Sequence, residues 1–341
     1  MLMKTNFIFA VAILFNLGVV FEGRAQFQHD VKSKRTPWSY EPAKETPDGF
    51  AFAIISDLNS GERAGVFEVA TEQINLLKPE FVLSIGDLID GGTEDTVQLK
   101  KQFDSFDQRA SKMGAPFFHV GGNHDLTNLT MRKYWEGRYG RRYYHFVYKN
   151  VLFLMVDSED YGEKRMQEIY LARKRAIELL DSGKNEQANK SLYFQMPERV
   201  TGEISENQSV YFEKAIKQNP NVRWTFILMH KPVWKKEGVG SLSRIEKALE
   251  KRNFTVINGH LHEYSYAQKA NHDYIMLGTT GGGQKPESKN AFDHIMWVTL
   301  TKSGPSIANL KLEGILDKEG KIPLNGEKYC YQASQCGEQK K

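Results

Sequence analysis

An α/β fold is predicted for this chain by two observations. From Phe50 onwards short apolar runs of strand length alternate with longer stretches of helical spacing, and the chain then finishes in strands. No repeat, low-complexity tract or Pro/Gly/Ser linker interrupts residues 50–316, so one large domain is expected rather than two small ones.

Taken in order, residues 50–56 read as an apolar strand and 64–77 as a helix with Val66, Val69, Ile74 and Leu77 on one side. Residues 81–85 form a second strand, 96–113 a polar surface helix, 116–120 a third strand and 131–139 a helix. Strands at 143–148 and 151–156 flank Lys149-Asn150, a hairpin turn. Residues 163–190, rich in Lys, Arg, Glu and Gln, read as one helix with Leu171, Ile177 and Leu180 on one side. They open an insertion over about 163–204, expected to be a solvated surface helix, with a cover over a site as the alternative. Ser205 and Gln208 have capping-box spacing for a helix running to Lys217. A strand at 224–229, a helix at 241–252 and a strand at 254–257 follow, and strands at 274–277, 295–301 and 306–316 close the pattern.

The two ends have a different character. Lys4, the apolar run 7–21 and Gly23-Arg24-Ala25 read as a secretory signal peptide cut after Ala25, which makes the protein secreted or periplasmic. The run is shorter than the roughly 20 residues of a membrane span, so no stable span is expected after cleavage. Residues 26–48 form an N-terminal extension and 317–341 a polar C-terminal tail. The tail carries the only cysteines, Cys330 and Cys336, expected to close one local disulfide in an oxidising compartment, with free thiols as the alternative. Cleavage removes Lys4, Arg24 and Glu22, taking the formal net charge from +4 to +3. No dense basic stripe accompanies it, so nucleic acid is not indicated as a partner.

Polar residues gather after the strands. Asp57 and Asn59 follow the first, Gly86-Asp87 and Asp90 the second, and Gly121-Gly122-Asn123-His124-Asp125 the third. His230 follows the strand at 224–229, and Gly259-His260-Leu261-His262 the strand at 254–257. Ligand sites of α/β sheets form outside the carboxyl ends of strands, so five strand ends would aim these groups at one rim. Carboxylates and neutral imidazoles bind borderline divalent metals, and paired ions stabilise attacking and leaving oxygens in phosphoryl transfer. His260 and His262, two apart on an extended segment, would share a face and each serve one ion.

This ordered set resembles the calcineurin-like metallophosphoesterases, from roughly Ala51 to the strands near Leu300. The resemblance implies a four-layer α/β/β/α sandwich and a dinuclear centre of two divalent metal ions: manganese, iron or zinc. By that resemblance Asp57, Asp87 and His262 hold the first metal, and Asp87 bridges to a second completed by Asn123, His230 and His260. His124 sits near the scissile phosphate as general acid or transition-state stabiliser, and Asp125 orients its ring. Asn59 stands where the family usually has histidine, and is a ligand, a supporting donor or a turn residue. Asp90 stands where a purple-acid-phosphatase-like branch has tyrosine, and is expected as a turn former. The implied activity is hydrolysis of a phosphorylated small molecule or other phosphoester by metal-activated water. Monoester against diester preference stays open, as does a metal-binding member without turnover. Outside the set, His119 is expected on a strand face, and His145, His272 and His294 in packing or surface roles. Gly281-Gly282-Gly283 is expected to form a turn, Tyr264 and Tyr266 to pack, and Asp157 to carry little weight.

Overall fold

The computed structural model describes residues 49–236 and 240–336, so the expected signal peptide and N-terminal extension lie outside the described residues. Eleven strands among them form two sheets. The first sheet holds β1 (Phe50–Ile55), β2 (Val82–Ser84), β3 (Phe117–Phe118), β10 (His294–Thr301) and β11 (Gly304–Lys311), in the order β11-β10-β1-β2-β3. The second holds β4 (Tyr144–Tyr148), β5 (Val151–Met155), β6 (Trp224–Leu228), β7 (Phe254–Asn258), β8 (Ser265–Lys269) and β9 (His272–Met276), in the order β4-β5-β6-β7-β9-β8. β1, β2 and β3 run parallel, as do β5, β6, β7 and β9. Their carboxyl ends therefore point the same way within each sheet.

Side-chain alternation sorts the strands into layers. Phe52, Ile54 and Leu83 face the second sheet and meet Phe153, Met155, Phe226 and Ile257. Phe52 sits edge-on to Phe153 and Phe226, with ring centroids 5.3 Å apart in both pairs, a favoured aromatic geometry. On the other face Ala53, Ile55 and Val82 meet α1 (Val66–Leu77), α2 (Thr96–Ala110) and α3 (Leu129–Tyr139) through Phe67, Phe103, Phe106 and Trp135. Beyond the second sheet, Leu154, Ile227 and Val256 pack on α7 (Glu206–Gln218) and α8 (Ser241–Ala248). The result is an α/β sandwich of two sheets flanked by helices. β1, β5, β6 and β7 read as continuous apolar runs because both their faces are covered.

Local signals set several ends. Ser205 caps α7 by accepting the Gln208 N–H at 3.2 Å, but the reciprocal half of a capping box is missing: the Gln208 side chain bonds Asp157 and Asp160, and the Ser205 N–H donates to Asp160. Asp95 and Asn128 cap α2 and α3 in the same way. Lys149 and Asn150 take left-handed φ of 40° and 60°, the turn that lets β4 and β5 pair as a tight hairpin.

Other expectations need correction. The third strand shrinks from 116–120 to Phe117–Phe118: Pro116 still accepts the Val82 N–H at 2.8 Å, while His119 and Val120 lead into the loop that follows, with the Val120 N–H on Ser84 Oγ in place of a ladder bond. The polar helix at 163–190 is broken at Gly183, φ 72°, into α4 (Glu163–Asp181) and α5 (Asn185–Asn189), followed by α6 (Leu192–Gln195). Its buried side is Met166, Tyr170, Ala176 and Leu179, whereas Leu171 and Ile177 are exposed. β8 was invisible to hydrophobic pattern because it is a mostly exposed edge strand, paired to β9 across Ala270-Asn271. Residues 317–336 do not hang free as a tail. Ile322 and Tyr331 enter the helix-side core, and Cys330 and Cys336 are paired in a disulfide with Cα atoms 6.1 Å apart.

Candidate metal centre

Five strand ends from the two sheets meet at one place. Asp57 and Asn59 leave β1, Asp87 leaves β2, Asn123 and His124 follow β3, His230 follows β6, and His260 and His262 follow β7. Asp87, His260 and His262 all have left-handed φ, at 59°, 79° and 58°. Such conformations cost of order 1–3 kcal/mol for residues with a Cβ, and they persist where the surroundings over-determine them. The glycines serve close approach: a Cβ on Gly122 would lie 2.2 Å from an Asp87 carboxylate oxygen, and one on Gly259 would lie 2.4 Å from Asp57.

Two donor clusters result, Asp57/Asp87/His262 and Asp87/His230/His260, each with its ligand atoms within 4.8 Å of one another. Asp87 belongs to both. Its Oδ2 lies 3.0 Å from His230 Nε2, while its Oδ1 accepts the His124 backbone N–H at 2.8 Å. Asp57 Oδ1 lies 3.2 Å from His262 Nε2, and Asn123 Oδ1 lies 3.1 Å from His230 Nε2. The His-x-His segment is a turn and not extended, as its two positive φ angles show. The turn still sends one imidazole to each cluster.

Each ring is fixed from behind by a backbone carbonyl. His230 Nδ1 donates to Ile85 O at 2.9 Å, His262 Nδ1 to Gly283 O at 2.6 Å and His260 Nε2 to Arg199 O at 2.8 Å. One nitrogen of each ring is thereby committed to the backbone and the other is turned towards the carboxylates, the arrangement that ligating histidines adopt. Burial opposes protonation of His230, yet the Asp87 carboxylate holds it up to about 9. Burial likewise opposes it at His262, and Asp57 raises it. Carboxylates that favour a proton so strongly favour a metal cation in its place. The buried Asn59 amide points the same way: neither Oδ1 nor Nδ2 has a partner, and an unpaired buried amide is costly. The donors present therefore fit a pair of divalent ions.

Asp125 does not orient the His124 ring as expected. Its carboxylate accepts N–H bonds from Asp87 (2.7 Å), Gly122 (2.8 Å) and Leu88 (2.9 Å), tying the second and third loops together. Burial and the neighbouring Asp87 push it up to about 8, against those three donors. The His124 ring is held instead by Asp90, whose carbonyl accepts from Nδ1 at 2.6 Å. His124 Nε2 then faces Ser60 Oγ at 3.5 Å and Arg173 Nη2 at 3.3 Å.

Further residues support the site, of which the glycine run 281–283 is expected from sequence as a turn and Lys231, Glu159 and Arg63 are not singled out by it. Lys231, next to His230, is buried and pairs with Glu159 at 2.8 Å while donating to Glu198 O at 2.7 Å. Gly282 N and Gly283 N donate to Asp57 O and Asn59 O, so the glycine run braces the first loop. Arg63 anchors that run, donating to Gly282 O, Asp293 and Cys330 O. His119 stacks on Tyr139, and the buried His294 ring bonds Asn309 and Gly278.

The manganese-dependent ADP-ribose/CDP-alcohol diphosphatase of Xenopus laevis is 30% identical over 150 residues, a stretch covering 36% of this chain and 36% of that protein. The chain thus matches only about a third of that relative's length. The crystal structure of a dimetal phosphatase from Danio rerio superposes with a TM-score of 0.51 at 14% identity, over 77% of this chain and 98% of that one, a likeness of fold. Residues 50–264 match the family described as calcineurin-like phosphoesterase, which is more than half of the chain. With its two-sheet sandwich and its paired Asp/His clusters sharing Asp87, this chain belongs to the calcineurin-like phosphoesterases.

Proposed function

We propose that this protein is an exported phosphoric ester hydrolase that works with two divalent ions, manganese, iron or zinc. The observation that carries the reading is Asp87, the carboxylate common to both donor clusters. Asp57, Asp87 and His262 would hold one ion with Asn59 beside them, and Asp87, Asn123, His230 and His260 the other. Bound there, the pair would activate water for in-line attack and neutralise the phosphate oxygens. His124 presents Nε2 to the substrate, since Nδ1 is committed to Asp90 O. Burial, before any charge, pushes this ring down to about 4, so it is neutral in the free protein. A phosphate anion beside it favours the protonated form, which lets Nε2 hand a proton to the departing oxygen. Asp125 keeps the Asp87 and Asn123 loops in register.

Export is supported by the signal-like residues 1–25 and by the Cys330–Cys336 disulfide. Among the described residues no helix is long and apolar enough to cross a membrane. The substrate class is a phosphorylated small molecule or other phosphoester, with no nucleic acid indicated. The test is a panel of chromogenic phosphomonoesters and phosphodiesters with manganese, zinc, iron and cobalt supplied separately. Asp87→Asn should lose both ions and nearly all turnover. A wild-type protein inert with every metal, or a variant that keeps two ions per chain, sinks the reading.

A further inference from the structure

The helical insertion reaches the candidate centre at two points, although its charge pattern reads as a solvated surface. Arg199 supplies the carbonyl that holds His260, and Arg173, on α4, places Nη2 3.3 Å from His124 Nε2. Three features set Arg173 apart from its neighbours. Arg165 pairs with Glu168 and Glu198, and Arg175 with Glu178, but among the described residues no carboxylate pairs with Arg173. Its guanidinium lies over Gly92 so closely that a Cβ there would be 2.8 Å from Nη1. Finally, α4 is clamped in place by buried Met166 and Tyr170, with Tyr170 OH on Glu94 at 3.3 Å. A half-buried guanidinium that no carboxylate pairs among the described residues, 3.3 Å from His124 Nε2, marks a place for an anion.

We infer that Arg173 is a specificity-determining residue that binds an anionic group carried by the leaving group, so that diphosphate diesters are the favoured class of substrate. The inference rests on the hydrolase reading above and deepens it. On the hydrolase reading His124 Nε2 would face the departing oxygen, and Arg173 Nη2, 3.3 Å from that nitrogen, would stand beside the same group. In a diphosphate the departing oxygen belongs to a second phosphoryl group, which brings its negative charge to that spot. In the step, the water oxygen forms a bond to one phosphorus and the bridging P–O bond breaks. Its electron pair stays on the bridging oxygen, so a diphosphate dianion and water yield two phosphomonoesters, each with one added proton. The guanidinium fork suits the two non-bridging oxygens of the departing phosphate. A simple phosphodiester whose leaving group is a nitrophenolate brings no second phosphoryl group, and so no pair of non-bridging oxygens for the fork to hold.

The experiment uses two substrates that release the same nucleotide, P1,P2-diadenosine diphosphate and the 4-nitrophenyl ester of adenosine 5′-monophosphate. Wild type, Arg173→Met and Arg173→Lys are compared with manganese, and metal content is measured alongside. Arg173→Met should lower kcat/KM on the diphosphate by about 10- to 100-fold more than on the nitrophenyl ester, the range expected for a charged hydrogen bond. Metal content should not change. Arg173→Lys should recover part of the loss on the diphosphate alone, since it keeps the charge but not the fork. Equal losses on both substrates, or a wild type that cleaves the nitrophenyl ester and leaves the diphosphate intact, overturn the role of Arg173 while the hydrolase reading stands. A wild type that cleaves neither with any of the four metals removes both.

Discussion

Asp90 holds His124 through its backbone, the carbonyl lying 2.6 Å from the ring Nδ1. The side chain of Asp90 is exposed and takes no part in that contact. Asp90→Ala should therefore leave turnover within a few-fold of wild type, whereas Asp125→Ala should be severe. Asp125 is fully buried and accepts three N–H bonds, and orphaned buried donors cost about 1–3 kcal/mol each. Thermal denaturation should show a large drop in Tm for Asp125→Ala and almost none for Asp90→Ala. A large drop for Asp90→Ala would mean that its side chain matters, and no drop for Asp125→Ala would mean that its three N–H bonds do not hold the loops.

His124→Ala should keep its metal and lower turnover by roughly 10²–10⁴-fold on esters of poor leaving groups. The loss should shrink on nitrophenyl esters, whose phenolate needs little help from a proton. Loss of an ion on substitution, seen by metal analysis, would move His124 among the ligands. An equal loss on both kinds of ester would point instead to charge stabilisation.

Asn59 should make the first ion the labile one. Its amide is buried and unpaired, and as a neutral donor it holds borderline metals less firmly than imidazole does. Dialysis against a chelator should strip one ion early, with activity returning on added manganese. Asn59→His should slow that loss and shift preference towards zinc or iron. Superimposable curves of metal content against chelator concentration would show that Asn59 does not face the ions.

His294 should contribute to acid sensitivity independently of the site. It is buried with Nδ1 on Asn309 Oδ1 at 3.0 Å and Nε2 accepting the Gly278 N–H at 3.0 Å, so only the neutral ring fits. Burial pushes it from 6.5 down to about 4. Between those values the unfolded chain binds the extra proton and the folded one does not. Stability is thus fully present above pH 6.5 and falls as pH drops towards 4, by about 1.4 kcal/mol per unit for this one group. His294→Leu should be less stable throughout but show a shallower fall over that interval, measured by urea denaturation with chelator present. An unchanged slope would rule His294 out as the source.

Much of the site was legible because its members sit at the ends of recognisable strands. Asp57, Asp87, His230 and the His260/His262 pair each follow an apolar run, and a strand's end is a local property of the chain. The double glycines beside Asn123 and the glycines before Asp87 and His260 were visible for a similar reason, since close backbone approach leaves a mark in residue type. Local backbone shape is where sequence and structure part. The His-x-His pair was expected on an extended segment, but both residues are left-handed because Asp57 and the Gly282-Gly283 turn pull the loop inward. Asp125 was expected on His124 because they are neighbours in sequence, yet its carboxylate is spent on N–H groups from a loop 38 residues away.

The sequence by itself determined the α/β class, the hairpin at Lys149-Asn150, the cap at Ser205 and the identity of the clustered carboxylates and imidazoles. Each depends on spacing or residue type within a few positions, and so is written where it acts. Only the tertiary structure decided that the donors come from two sheets, that carbonyls at Ile85, Arg199 and Gly283 fix the three rings, and that Arg173 turns inward from a helix whose charges looked solvated. A carbonyl is the same on every residue, and a charged helix looks alike whether it faces water or a pocket. Contacts of that kind acquire meaning only when packing brings distant segments together.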